Sequence, residues 1–154
     1  MRKHFLVVTM LLTMVCNLFA AQSETIVQLE TTTGTLEGSL LVPEVETVIP
    51  VALIIAGSGP TDRDGNNPAM KNNSLKMLAT ELLKNGIATL RYDKRGIEKS
   101  RQAGDEEKDL RFEHYISDAK DWIALLNQDK RFSEIIVIGH SEGSLLGMVA
   151  SQEK

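Results

Sequence analysis

Cysteine is almost missing from this 154-residue chain: its one example, Cys16, falls within the first 21 residues. A single thiol rules out an intrachain disulfide framework. Once those residues are removed, a thiol nucleophile and a cysteine-ligated metal are excluded as well. Long apolar runs are equally scarce. The longest, Phe5–Phe19, covers 15 residues, short of the roughly 20 that a membrane-spanning helix needs. There is no excess of basic charge: 17 Lys and Arg stand against 21 Asp and Glu, a net charge of −4. With no basic face, nucleic acid is not an expected partner. Internal repeats and low-complexity segments are absent too.

What is present begins with a leader. Met1-Arg2-Lys3-His4 is a short positive segment, Phe5–Phe19 an apolar one, and Ala20-Ala21-Gln22 supplies small residues for cleavage. That is the order of a secretory signal peptide, so residues 1–21 are expected to be removed and the protein exported. Thr13-Met14-Val15 lacks the small residue expected before a lipidated cysteine, so anchoring through Cys16 is not expected. Loss of Arg2 and Lys3 takes the net charge to −6, which favours solubility without a membrane attachment.

Residues 22–154 read as one α/β domain. Thr25–Leu41 alternates with period two around Thr33-Gly34, the pattern of an antiparallel hairpin. Val51–Ala56 is continuously apolar, as a strand buried on both faces of a parallel sheet must be. A helix is expected over Ser74–Asn85, with its start at Asn72–Ser74 and Gly86 just past its end. Strands at Ile87–Tyr92 and Glu134–Gly139 flank a second helix, Leu110–Asn127. Its stripe is Phe112, Ile116, Ala119, Ile123 and Leu126. Glu98–Asp109 reads as a charged loop, and a third helix starts at Glu142. Hairpin followed by β-α-β-α-β-α implies a parallel sheet with helices on both faces, the first two on opposite sides.

The chemistry concentrates in Glu134–Gly147, EIIVIGHSEGSLLG. Gly139-His140-Ser141-Glu142-Gly143 is G-x-S-x-G placed between a strand and a helix, the setting in which the pattern has meaning. A turn this tight leaves no room for a Cβ on either side of the serine. It also lifts the Ser141 hydroxyl clear of the sheet, where an acyl carbonyl can reach it. The amide of Glu142, opening the helix, would face the developing oxyanion. A serine nucleophile also needs a base and an orienting acid. Only 13 residues follow Ser141, so both are expected outside this sequence.

Three landmarks in order, Ala56-Gly57-Ser58-Gly59-Pro60, Tyr92-Asp93-Lys94-Arg95-Gly96-Ile97-Glu98-Lys99-Ser100 and Gly139–Gly143, resemble the N-terminal half of an α/β-hydrolase. The resemblance is to secreted bacterial esterases and serine-aminopeptidase-like enzymes and runs over Val51–Gly147. It implies an eight-stranded hydrolase fold of which this chain is the first part. It matches Ser141 to the nucleophile, Glu142 to one oxyanion-donating amide, and Ser58, or else Gly59, to the other. It matches Asp93-x-Arg95-Gly96 to a loop bracing the sheet edge, although Glu98 stands where the family usually has a second glycine. The acid and histidine of the family have no counterpart here.

The implied activity is cleavage of a carboxylic ester, thioester or amide of a small acyl substrate through an acyl-enzyme on Ser141. Neither a metal nor an organic cofactor is implied, and the oligomeric state is left open. The other reading is a non-catalytic remnant or binding module of the same fold, poorly soluble on its own because the strand before Ser141 would leave a sheet edge uncovered. His140 adjoins the serine, but neighbours on a sharp turn point in different directions, so a structural role is expected for it. His114 on the second helix reads as surface or half-buried. Asp93 with Arg95 reads as an ion pair, and the Glu142 carboxylate as a partner of the helix dipole. The loop Thr61–Pro68 has its glycine too early for a calcium loop and reads as a polar loop beside the site, with room to gate or line the acyl pocket. Asp105-Glu106-Glu107 reads as a solvated run, and Trp122 and Tyr115 as core or rim.

Overall fold

A computed structural model describes residues 24–104 and 110–152. The expected leader with His4 and Cys16, and the acidic run Asp105–Glu107, lie outside the described residues. The elements are β1 (Glu24–Thr31), β2 (Gly34–Leu41), β3 (Ile49–Ile55), α1 (Ser74–Lys84), β4 (Ala88–Tyr92), a 3-10 helix (Glu98–Ala103), α2 (Phe112–Gln128), β5 (Phe132–Gly139) and α3 (Glu142–Gln152). The strands form one sheet in the order β1-β2-β4-β3-β5. β1 pairs with β2, and β2 with β4, antiparallel; β3 pairs with both β4 and β5 in parallel.

The alternation of side chains along β3 organises two cores. Val51, Leu53 and Ile55 face a layer that holds Ala119, Trp122 and Leu126 of α2 and Leu146 and Ala150 of α3. Ala52, Ile54 and Ala56 face the opposite layer, with Leu75, Ala79 and Leu83 of α1. Helices α1 and α2 thus cover opposite faces, as the β-α-β crossovers require. The expected α/β architecture holds, with boundaries moved by one to two residues at most elements.

Four details differ from the sequence reading. Strand β3 starts two residues earlier and contains Pro50; the register shifts between Ile49 and Val51, where the missing proline N–H breaks the ladder. Glu98–Ala103, read as loop, forms the 3-10 helix. The Gly96 N–H donates to the Ser100 carbonyl at 3.1 Å, and the Ser100 hydroxyl oxygen accepts from the Glu37 N–H of β2 at 2.9 Å. The buried side of α2 is centred on Ala119, Trp122 and Leu126, and it includes Asp118. Strand β5, read as buried, is half-exposed with Ile136 36% accessible, because among the described residues only β3 borders it.

Candidate active site

Two glycines let β5 turn sharply into α3. A Cβ on Gly139 would lie 2.2 Å from the Gly143 carbonyl oxygen, and one on Gly143 would lie 2.4 Å from the Ile55 oxygen. No side chain survives at such distances, so strand, turn and helix close only with glycine at both positions. The residue between them takes the strain: Ser141 has φ +52°, a left-handed conformation that costs an ordinary L-residue about 1–2 kcal/mol. The turn is held by the Gly143 N–H donating to the His140 carbonyl and the Ser144 N–H donating to the Ser141 carbonyl, both at 2.9 Å. Ser141 ends up exposed at the rim of the sheet.

The loop after β3 runs beside this turn. A Cβ on Gly57 would meet His140 Nδ1 at 2.9 Å and Ser141 Cβ at 3.4 Å, so the loop backbone touches the serine directly. Ser58 and Gly59 follow, exposed, with Gly59 at φ +70°. The Thr61 N–H donates to the Gly59 carbonyl at 2.8 Å and the Thr61 hydroxyl to the Ser58 carbonyl at 3.0 Å. The structure therefore brings together all three sequence-derived site residues: Ser141, Glu142 and the Ser58–Gly59 loop. His140 Nδ1 lies beside Gly57, and the backbone N–H of His140 continues the sheet ladder to the Ile55 carbonyl at 3.0 Å. His114 lies on α2, its Nδ1 near the Arg111 N–H at 3.4 Å.

Lys94, carried in the sequence only as part of a landmark, closes the arrangement. Its ammonium donates to the Gly57 carbonyl at 2.5 Å and pairs with Glu142 Oε2 at 3.1 Å, with the Tyr115 ring centre 5.4 Å away. The Glu142 carboxylate thus has an ion-pair partner besides the helix dipole that the sequence reading assigned to it. A groove of about 750 Å³ opens here, lined by Gly59, Pro60, Lys94, Ile97, Leu110, Phe112, Tyr115 and Glu142 among others. The loop Thr61–Pro68 contributes none of its lining residues. That loop is tied down elsewhere, with Asp62 Oδ1 accepting from the Asp64 and Asn66 N–H groups and Asp64 pairing with Arg91 at 2.9 Å.

The expected Asp93–Arg95 pair is absent. The chain turns at Arg95-Gly96, and the two side chains leave on different sides of the sheet end. Asp93 takes the guanidinium of Arg63 at 2.7 and 3.1 Å together with the Arg63 N–H at 2.8 Å. Arg95 donates to both oxygens of Asp118 on α2, at 2.5 and 3.0 Å, and to the Ala103 carbonyl at 2.8 Å; Thr33 Oγ1 is a further partner. Burial opposes the Arg63 charge, yet its hydrogen bonds to Asp93 and Glu37 hold the pKa above the ordinary arginine range. Burial pushes the Asp118 carboxyl up despite the Arg95 contact. Among the described residues, no three His, Cys, Asp or Glu side chains are placed to hold a metal ion. No helix there is long and apolar enough to cross a membrane.

Comparison with known proteins gives consistent relatives. Residues 70–154 match the family described as serine aminopeptidase, S33. Esterase EstD of Thermotoga maritima is 32% identical over 117 residues, which make up 75% of this chain and 27% of that protein. Among solved structures, Est1E of Butyrivibrio proteoclasticus with ferulic acid bound has a TM-score of 0.66 at 21% identity, covering 81% of this chain and 46% of its own. Dienelactone hydrolase of Anabaena variabilis has a TM-score of 0.66 at 22% identity, covering 86% and 58%. The chain spans about a quarter of the length of the curated relative and about half of each solved structure.

Proposed function

Because the chain belongs to the serine aminopeptidase S33 family of α/β-hydrolases, we propose that it carries the nucleophile half of an exported serine hydrolase that cleaves carboxylic esters of small acyl substrates. The observation that carries this reading is the strained, exposed Ser141 at φ +52° between two glycines that admit no Cβ. A residue is held in such a conformation only where the surrounding structure over-determines it, and such strain clusters at reactive positions.

The chemistry follows from the positions. Ser141 Oγ attacks the acyl carbon and its proton passes to a base. The carbonyl oxygen becomes an oxyanion. It takes hydrogen bonds from the amide of Glu142, which as the first residue of α3 has no partner within the helix, and from the amide of Ser58. Collapse expels the alcohol and leaves an acyl-enzyme, which water then hydrolyses by the same path. The groove beside Gly59, Lys94 and Tyr115 holds one arm of the substrate. Thioesters and amides share the mechanism. His140 Nδ1 lies beside Gly57 and His114 sits on α2, so the base and its orienting acid are assigned to residues other than the described ones. These 154 residues alone are accordingly expected to give no turnover.

The test is covalent labelling of the protein, as its gene encodes it, with a fluorophosphonate, and hydrolysis of p-nitrophenyl acetate. Labelling at Ser141 and its loss in Ser141→Ala support the reading. Turnover that persists in Ser141→Ala overturns it.

A further inference from the structure

A lysine whose side chain is 3% exposed is an expensive choice at the end of β4. Taking an ammonium out of water costs several kcal/mol, and an apolar residue of similar length would fill the space without that penalty. Among the described residues, the Lys94 ammonium meets the Gly57 carbonyl oxygen at 2.5 Å and Glu142 Oε2 at 3.1 Å, over the face of Tyr115. Both belong to the residues that frame the oxyanion site. The carbonyl of Gly57 and the N–H of Ser58 are opposite ends of one planar trans peptide. Holding that carbonyl from one side sets the rotation of the plane and sends the Ser58 N–H to the other. The carboxylate held at the same time belongs to Glu142, whose own N–H opens α3.

Resting on the hydrolase reading above, we propose that Lys94 is a positioning residue: its ammonium ties the Ser58 peptide to Glu142 and so fixes the two oxyanion donors relative to each other. Three separate elements meet at this point, the loop after β3, the end of β4 and the start of α3. Thr61 holds the carbonyls of Ser58 and Gly59, but the Gly57–Ser58 peptide, one step earlier, takes its tether from Lys94. A donor that must reorganise during the reaction gives up much of its value, because such stabilisation depends on dipoles aimed in advance. Lys94 itself never meets the substrate oxygen.

The experiment compares wild type with Lys94→Met, Lys94→Arg and Glu142→Gln, in the protein as its gene encodes it. The readouts are kcat and KM for p-nitrophenyl acetate, the inhibition constant of an aryl boronic acid whose serine adduct is tetrahedral, and Tm. Loss of one oxyanion donor costs ~100–1000-fold, and misaiming one is expected to cost ~10–100-fold. Lys94→Met should lose that factor in kcat, weaken boronate binding in parallel, and keep KM within about twofold. Lys94→Arg should restore part of the loss, since it can still donate to the Gly57 carbonyl. Glu142→Gln, which removes the charge and keeps the shape of a partly exposed side chain, should show a smaller loss of the same kind and serves if Lys94→Met does not fold. A lowered Tm with kcat and boronate affinity unchanged overturns the proposal and leaves Lys94 a packing residue. A wild type that is not labelled at Ser141 by fluorophosphonate overturns the hydrolase reading and this proposal with it. Labelled wild type with unaffected variants overturns the proposal alone.

Discussion

The carboxylate of Asp93 meets the guanidinium of Arg63, thirty residues earlier in the chain, and not that of Arg95 two residues on. Asp93 is 1% exposed, and Arg63 reaches it across the end of the sheet while also donating to Ser39 and Glu37. The pair closes the loop before α1 onto β4. Arg95, released from Asp93, fastens the other side of the same strand end to α2 through Asp118. The loop between β4 and the 3-10 helix is therefore braced on both faces of the sheet, and Lys94 stands between the two braces.

Double-mutant cycles will separate these partners. Arg63→Met alone is expected to cost about 3–5 kcal/mol, because it leaves the buried Asp93 carboxylate without its counterpart; Asp93→Asn should cost less, since Arg63 keeps Glu37 at 2.7 Å. The Arg95–Asp118 cycle should give a coupling of about 2 kcal/mol, whereas Arg95 with Asp93 should couple by less than about 0.5 kcal/mol. Urea unfolding measures both. Equal couplings would mean that Arg95 shares Asp93 in solution.

Gly143→Ala brings a Cβ to 2.4 Å from the Ile55 oxygen and 2.7 Å from that of Ala56, both fixed backbone atoms of the β3 end. Helix α3 has to move off the sheet, at about 3 kcal/mol. Gly147→Ala meets a Val137 side-chain methyl at 2.7 Å in place of backbone and should cost less. Denaturant midpoints of the two variants give the comparison.

Replacing Ser141 distinguishes strain from chemistry. Ser141→Ala and Ser141→Gly should both abolish fluorophosphonate labelling. At φ +52° the glycine variant should nevertheless be about 1 kcal/mol more stable than the alanine one, since only glycine is at ease there. Tm values for the two, side by side, check this.

Acid should loosen the first strand. Burial works against the Glu24 carboxylate, but Arg91, Ser39 and Lys76 together hold its pKa below the ordinary value of 4.5. A folded pKa below the unfolded one means the contribution is complete above pH 4.5 and is lost as pH falls through the lower folded value. Glu24→Gln should therefore flatten the acid side of a Tm-against-pH curve while changing the curve near pH 7 by a constant amount.

Much of this protein was legible from its residues in order. The alternation in β1 and β2, the continuous run Val51–Ile55 and the glycines around Ser141 each report a local constraint, namely which way successive side chains point and where a Cβ fits. Periodicity and turn sterics act over a few residues, so one stretch of chain suffices to state them. The partners of Asp93, Lys94, Arg95 and Asp118 are of another kind. The charged partners lie 23 to 48 residues apart, and adjacency in sequence pointed to a wrong pair. Only the sheet order, which sets the β3 loop, the β4 end and α3 side by side, decides which charge each buried group meets. Desolvation then decides the rest, because a charge enclosed there keeps its ionised form only where the fold delivers a counterpart.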